Sequence, residues 1–314
     1  MSNNLEFVVP AYLSGTVRRG TGSARGHHGE LLQGVFTMPD GKLRRGLTTL
    51  SCALFTSEAS LELDGAASTL TVSPAWKAKA LRAALVTAEE IGLPQLRGVL
   101  HVRSSIEVGR GFGSSTSDVT ATIRATLDAF GLELDNARIA RLAVLAESAA
   151  DPLMFDDMLL FAHREGLVIE SFEVPLPAVA VLGFPLNIGP VDTLAFPRAR
   201  YNRNEIIRFD ELRLELRSGA LAGDLAAIGR VATESARINQ RFLPVPQFQD
   251  LLDIATSAGA AGLQIAHSGS IGGFLFAPGD PGVSHSIEQA EKQLQAIGVS
   301  ESWYYLEGLG ETSC

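Results

Sequence analysis

A glycine- and serine-rich segment, which lies between a strand-like and a helix-like pattern, constrains the fold of this chain more than any other feature. Residues 98–107 alternate as a β-strand does, residues 109–118 read GRGFGSSTSD, and helical spacing then continues to Gly131. Glycines reach positive φ angles and let backbone amides approach a ligand, and the amino-terminal end of a following helix attracts an anion. The order strand, loop, helix therefore predicts either a phosphate-binding loop or a glycine-rich turn with a serine N-cap. The helix is expected to begin at about Ser117 or Asp118.

The spacing of these glycines excludes two common nucleotide-binding signatures. It matches neither G-x-x-x-x-G-K-[ST] nor G-x-G-x-x-G. Hydroxyl groups in the segment are able to donate to phosphate oxygens or to ligate magnesium. The residues predicted to contact phosphate are Gly109, Gly111, Phe112, Gly113, Ser114, Ser115, Thr116 and Ser117.

Patterns on both sides of this segment predict an α+β protein with two lobes. Residues 5–63 alternate short apolar runs with Gly, Thr and Ser, which is typical of antiparallel strands and hairpins, whereas residues 76–91 and 135–149 have helical spacing. Further strands are expected at LVIESFEV and AVAVLGF, and the boundary between lobes falls between them, giving domains 1–172 and 173–314. The second lobe is predicted to contain helices over residues 204–217, 221–241, 248–257 and 286–297, and strands at GLQIAH, GGFLFAP and WYYLEG.

Composition and charge narrow the classes of partner. The net charge of -9 argues against an extended nucleic-acid surface, which needs a basic patch. No uninterrupted apolar stretch reaches the ~20 residues that span a bilayer, so no membrane segment is expected. Cys52 and Cys314 form no CxxC pair and predict no thiol metal site. Such cysteine usage fits a reducing compartment, and we expect a soluble, cytoplasmic protein.

Three motifs together resemble those of the GHMP kinases, the superfamily of galactokinase, homoserine kinase and mevalonate kinase. GRGFGSSTSD resembles their P-x-x-x-G-L-G-S-S-A-A phosphate loop. Residues 29–34, GELLQG, resemble the G-E-L-x-Q-G segment of the L-threonine kinase branch, and residues 266–273, AHSGSIGG, resemble the glycine-rich carboxyl-terminal motif in the form of that branch. The resemblance implies a two-lobed GHMP kinase fold, with a ribosomal protein S5 domain 2-like amino-terminal lobe and a ferredoxin-like carboxyl-terminal lobe.

The same resemblance implies a catalytic carboxylate at Asp151. The branch carries an aspartate in a P-T-D-S type segment, and Ala150-Asp151-Pro152 keeps the aspartate but loses its neighbours. In this interpretation Asp151 accepts the proton of the substrate hydroxyl or orients that hydroxyl for in-line attack. The alternative is an Asp-Pro turn that ends a helix.

Magnesium is expected to bridge the β- and γ-phosphates of ATP, because phosphoryl transfer depends on positioning and charge neutralisation. Ser115 is the first candidate ligand. Glu147, one helical turn before Asp151, is the carboxylate that completes the site, or else an exposed helix glutamate.

The residues predicted to contact the acceptor come from the first and third motifs along the chain. The branch has small residues before its Gly-Glu pair, whereas this chain has Arg25-Gly26-His27-His28. Adjacent strand residues point to opposite faces, so one imidazole rather than both is expected to contact the acceptor. The alternatives are solvated turn residues at Glu30 and Gln33 and a plain hairpin after residue 266. The predicted substrate contacts are Glu30, Gln33, His28, His267, Ser268 and Gly269.

These motifs imply an ATP- and Mg²⁺-dependent kinase that phosphorylates the hydroxyl of a small metabolite. L-Threonine is the first acceptor expected, with serine, homoserine or a related hydroxy acid as alternatives. The other interpretations are a homoserine kinase-like or decarboxylase activity that uses the same loop, and a nucleotide-binding regulator without turnover. Asp151 favours catalysis over regulation. The expected partner is a hydroxylated small molecule, an amino acid by preference. No nucleic-acid or membrane partner is expected, and the sequence leaves open whether the chain forms a homodimer.

Overall fold

Ten strands and seven helices make up the described part of the chain, which in the computed structural model comprises residues 17–93, 95–186 and 199–308. The strands are β1 (Arg18–Thr37), β2 (Leu43–Leu63), β3 (Leu70–Ser73), β4 (Gly98–Ser104), β5 (Leu159–Ala162), β6 (Leu167–Ser171), β7 (Val179–Pro185), β8 (Gly262–Ile265), β9 (Ile271–Phe276) and β10 (Trp303–Glu307). The helices are α1 (Ala78–Glu90), α2 (Ser114–Asp128), α3 (Asn136–Glu147), α4 (Arg203–Ala222), α5 (Leu225–Asn239), α6 (Phe248–Ser257) and α7 (Val283–Ala296).

One continuous sheet joins the two halves of the chain. Its order is β10-β7-β9-β8-β1-β2-β4-β3, and β5 pairs with β2 and β6 beside this path. Among the described strands all pairings are antiparallel except β3 with β4. The halves meet where β1 pairs with β8 at Glu30 and Ile265. The predicted α+β architecture with a mostly antiparallel first half is confirmed.

The long hairpin of β1 and β2 is irregular at its centre. Its register shifts between Arg25 and Gly26, between His27 and Glu30, and between Glu30 and Leu32. Such irregularities bend a strand and change the direction of its side chains. The residues of the first motif therefore lie where strand alternation is interrupted.

Helix α2 is the central element of the first half. Its residues from Thr116 to Ile123 are all buried, beneath β1 and beside α1 and α3. Asp118 is tied to neighbouring elements by Lys77 Nζ at 2.5 Å and by the Ser57 hydroxyl, which donates to its carboxylate at 2.6 Å. This helix and the loop before it are therefore fixed relative to the sheet.

One hydrophobic core contains residues from both halves of the chain. Phe36 of β1 packs against Phe209 of α4 with 6.0 Å between ring centroids, and Phe172 is buried in the same cluster. Residue 172 is thus part of a core that both halves share. The boundary between domains 1–172 and 173–314 stays a prediction.

Strand β3 lies outside the predicted strands, and two further elements differ from their predictions. Helix α2 begins at Ser114, not at Ser117 or Asp118, because its N-cap is Gly113 and no serine side chain caps it. The strand β5 was not predicted, because four consecutive buried residues show no alternation. Residues 5–16 of the predicted first strands lie outside the described residues. None of the helices in the described ranges has the length and apolar character needed to cross a bilayer.

Candidate active site

A cavity of about 330 Å³ lies between the glycine-rich loop, the end of α3 and the second half of the chain. The loop forms one wall. Asp151 and Glu147 line the cavity beside it, and His267 and Ser268 line it from the second half. The three sequence motifs and the predicted carboxylates therefore share one cavity.

The loop has the backbone that close approach to an anion requires. Gly109, Gly111 and Gly113 have φ angles of 83°, 87° and 71°, in the left-handed region that favours glycine. A Cβ atom at Gly113 would lie 2.2 Å from Cδ2 of His27. Gly113, the N-cap of α2, has no side chain with which to cap the helix, so the positive end of the helix faces the cavity.

Six of the eight predicted phosphate contacts line the cavity, and two do not. Phe112 is buried, its ring lies 4.7 Å from that of Phe55 between centroids, and its carbonyl accepts from the His27 amide at 3.1 Å. Ser117 is also buried and donates to the carbonyl of Arg25 at 2.9 Å. Both side chains pack on the side of the loop away from the cavity. This packing replaces the phosphate contact predicted for them. The lining residues are Gly109, Gly111, Gly113, Ser114, Ser115 and Thr116.

Glu147 is a buried member of this cavity and not an exposed helix glutamate. The Ser115 hydroxyl donates to one of its oxygens, and Thr116 Oγ1 donates to the other at 2.7 Å. Lys79 Nζ lies 3.0 Å from Ser115 Oγ and 3.6 Å from the carboxylate. Burial raises the pKa of Glu147 to about 7. Hydroxyl and carboxylate oxygens are the donors that Mg²⁺ prefers, so Ser115 and Glu147 fit the ion predicted for them.

Asp151 is held by an imidazole that sequence reasoning did not assign. His27 Nε2 lies 3.2 Å from Asp151 Oδ2, and the amide of Gly29 donates to His27 Nδ1 at 2.9 Å. Because Nδ1 accepts this bond, Nε2 carries the proton and donates to Asp151. Burial opposes ionisation of Asp151, but His27 and the neighbouring imidazoles of His267 and His163 together outweigh burial and hold the pKa of that carboxyl well below its usual range.

Glu30 holds a second imidazole in place. One Glu30 oxygen accepts from the backbone amide of His267 at 2.6 Å, and the other accepts from Nδ1 of the same residue at 2.7 Å. Burial lowers the pKa of His267, but Glu30 and Asp151 together outweigh burial and raise that pKa to about 9. Glu30 is itself buried and does not line the cavity. Glu30 therefore orients His267 and favours its protonated form. This indirect role replaces the direct substrate contact predicted for Glu30.

The two adjacent histidines have different surroundings. His28 is fully buried, Trp303 Nε1 donates to its Nε2 at 3.0 Å, and its Nδ1 lies 3.0 Å from Gln264 Oε1. Burial lowers its pKa to about 4. His27 lines the cavity and His28 does not. His28 is therefore not placed to make the substrate contact predicted for it, whereas His27 reaches the cavity, because neighbouring strand residues point in opposite directions.

Of the other predicted substrate residues, three line the cavity and one does not. Gln33, His267 and Ser268 line the cavity, whereas Gly269 does not and closes a turn by donating to the Ala266 carbonyl at 2.8 Å. Sequence reasoning missed Lys79 and His163, which both line the cavity. Neither belongs to a motif, and each reaches the site only through the packing of distant elements.

Family comparison agrees with this arrangement. The model described as the GHMP kinases N terminal domain matches residues 78–163, and the model described as GHMP kinases C terminal matches residues 216–295. Together these two models cover more than half of the chain.

Two curated relatives and one solved structure are similar to this chain. An L-threonine kinase from Salmonella typhimurium is 32% identical over 176 residues, which are 56% of this chain and 58% of that protein. An L-threonine kinase from Citrobacter freundii is 28% identical over 178 residues, 56% of this chain and 62% of that protein. The matches thus span about three fifths of the length of these relatives. A homoserine kinase from Cytophaga hutchinsonii has the same fold, with a TM-score of 0.65 and 16% identity over 95% of this chain and 96% of that chain.

Proposed function

The chain belongs to the GHMP kinases, and on that premise we propose that it transfers the γ-phosphoryl group of ATP to the hydroxyl of a small metabolite. We further propose that L-threonine is the acceptor and that the products are O-phospho-L-threonine and ADP. The two similar L-threonine kinases support this acceptor. L-Homoserine and L-serine are the alternatives to test. The cytoplasmic location expected from the sequence is proposed with the function.

One observation carries the proposal. Thr116 Oγ1, in the first turn of α2, lies 2.7 Å from Glu147 Oε1 and 3.4 Å from Asp151 Oδ2. The phosphate loop, the candidate magnesium ligands and the candidate acceptor carboxylate thus converge on one helix turn. Phosphoryl transfer needs these groups together, because most of its catalysis is positioning and electrostatic stabilisation.

The phosphate side of the cavity is formed by the loop and Lys79. The glycine backbone and the amino-terminal end of α2 would hold the phosphate oxygens, and Lys79 adds a positive charge beside Ser115. Ser115 and Glu147 would hold Mg²⁺. The bound ion would neutralise charge on the β- and γ-phosphate oxygens.

The acceptor side is formed by Asp151 and His27. The His27 donor occupies Asp151 Oδ2, and within the described residues no hydrogen bond is made to Oδ1. Oδ1 is therefore able to accept from the acceptor hydroxyl and aim its oxygen at the γ-phosphorus. As the new oxygen–phosphorus bond forms, the bond to the ADP oxygen breaks and the hydroxyl proton leaves through Asp151. The low pKa of Asp151 suits an orienting role more than that of a strong base.

The test is ADP formation from Mg-ATP with L-threonine, L-serine and L-homoserine as acceptors, in the wild type and in Asp151→Asn. We expect L-threonine to stimulate ADP formation most. Asp151→Asn should lower kcat by about 10²- to 10⁴-fold, the usual contribution of a positioned acid–base group, with little change in the KM for ATP.

The matched control is Asp157→Asn, because Asp157 is an exposed aspartate of the same loop. It should retain wild-type kcat. Nucleotide binding without ADP formation from any acceptor would instead support the regulator. Full activity in Asp151→Asn would show that another carboxylate orients the hydroxyl.

A further inference from the structure

His267 presents one end of its imidazole to the cavity and is anchored by the other. Its amide and Nδ1 are both used by Glu30, at 2.6 and 2.7 Å. Within the described residues Nε2 makes no hydrogen bond, and 27% of the side chain is exposed. Since Nδ1 donates to a carboxylate, a proton on Nε2 makes this end a cationic donor aimed at a ligand.

The position of this donor relates it to the reacting group. The rings of His27 and His267 lie almost parallel, with 10° between their planes and 6.4 Å between centroids. His27 in turn contacts Asp151. A group bound by His267 and a hydroxyl bound by Asp151 would therefore lie in the same part of the cavity.

Positively charged side chains share the cavity with this donor. Arg45 and Arg164 line the same cavity. His163, whose ring lies 6.3 Å from that of His267, has a pKa lowered by burial to about 4 and adds no charge at neutral pH. Glu30, together with Asp151, raises the pKa of His267 to about 9, so His267 carries a charge at neutral pH. His267 is thus a charged donor in the same cavity as Asp151.

We propose that His267, supported by Glu30, binds the carboxylate of the acceptor, so that the acceptor class is hydroxy acids with a free carboxylate near the hydroxyl. This inference rests on the proposed function and adds a specificity determinant to it. The γ-phosphate of ATP is the other anion that the same donor could bind. We assign the carboxylate because the glycine loop and Lys79 already form the phosphate side of the cavity.

The test compares L-threonine with L-threoninamide, which keeps the hydroxyl and removes the negative charge. In the wild type, kcat/KM should favour L-threonine by about 10- to 100-fold, the range expected for one charge-assisted hydrogen bond. In His267→Gln this ratio should fall to about one to three, while the KM for ATP stays unchanged. His285→Gln is the matched control, because His285 is an exposed histidine of α7, and it should keep the wild-type ratio.

A rise in the KM for ATP with an unchanged acceptor ratio would show that His267 binds phosphate and would overturn the inference. Equal losses for both acceptors would also overturn it. Glu30→Gln is the second variant, because it leaves the imidazole intact and removes the carboxylate that charges it. Glu30→Gln should likewise lower the ratio of kcat/KM for L-threonine to kcat/KM for L-threoninamide. If His267→Gln does not fold, an unchanged ratio in Glu30→Gln would contradict the proposal.

Calorimetric binding without ATP separates this inference from the proposed function. One outcome is that the wild type binds L-threonine, His267→Gln does not, and the wild type transfers no phosphoryl group. This result would refute the proposed kinase activity and support the carboxylate site. Absence of both binding and transfer for L-threonine, L-serine and L-homoserine would refute both.

Discussion

At the scale of single residues, the site is a set of buried groups that charge and orient one another. Glu30 does not reach the cavity, yet it fixes both the direction and the charge of His267. His27 orients one carboxylate oxygen of Asp151. Gly113, which has no side chain, leaves space for the His27 imidazole. Asp151 and His267 are therefore each oriented by a buried neighbouring side chain.

The pair of Glu30 and His267 should make stability depend on pH. Because the pKa of His267 is raised to about 9 from a usual value of 6.5, the folded state binds more protons than the unfolded state between these values. Its stabilising contribution is complete below about pH 6.5 and is lost as pH rises through about 9. Denaturant unfolding should show the free energy of unfolding of the wild type decreasing over this window relative to His267→Gln. A constant difference between the two proteins would contradict the raised pKa.

Motif residues could be predicted from the sequence better than their partners. The glycine loop, Asp151 and Glu147 belong to patterns, and all of them reach the cavity. His27 and His28 could not be told apart, because the register shifts in residues 25–32 interrupt the alternation that decides which side chain faces inward. Lys79 and His163 carry no local signal, since only the packing of separate elements brings them to the loop.

At the scale of elements, helix α2 connects the loop to the core. Two of its buried threonines donate to carbonyls one turn earlier, Thr122 to Asp118 at 2.8 Å and Thr126 to Thr122 at 2.9 Å. The apolar spacing of α1 and α3 was sufficient to predict those helices. The start of α2 was predicted too late, because serines next to a helix usually cap it, whereas Ser114 and Ser115 lie within the first turn and face the cavity.

The buried ion pair of Lys77 and Asp118 should be the main electrostatic tie on this helix. Its side chains are only 5% and 9% exposed, and the atoms are 2.5 Å apart. Lys77→Met alone should lower the free energy of unfolding by about 3–5 kcal/mol, because it leaves Asp118 charged and buried. Urea unfolding should show that adding Asp118→Leu restores part of this loss. A double variant as unstable as the sum of the two single variants would exclude coupling between these residues.

At the scale of the whole molecule, the cavity exists because the two halves share a sheet and a core. Glu30 and Ile265 join β1 to β8 directly beside the site. The sequence indicated two lobes, since helical and strand patterns are local. It could not show that Phe36 and Phe209 pack in one cluster, because residues so far apart leave no pattern along the chain.

The shared core predicts cooperative unfolding. The chain has two tryptophans, of which Trp76 is 62% exposed and Trp303 lies in β10 against His28. In Trp76→Phe the fluorescence of Trp303 should report the contact between β10 and the first half of the chain, while far-ultraviolet circular dichroism reports all helices. The two midpoints in urea should coincide. Separate midpoints would show that the halves fold as independent units.

Phosphorus NMR of a mixture of the wild-type protein, Mg-ATP and L-threonine tests the central claim most directly, because it identifies the bond that forms. We predict that the signal of O-phospho-L-threonine grows as that of the γ-phosphate declines, with one ADP for each product. The signal should be nearly absent with Asp151→Asn and normal with Asp157→Asn. Inorganic phosphate as the sole product, or no change in the ATP signals with any of the three hydroxy amino acids, would contradict the assignment of this cavity as a hydroxyl kinase site.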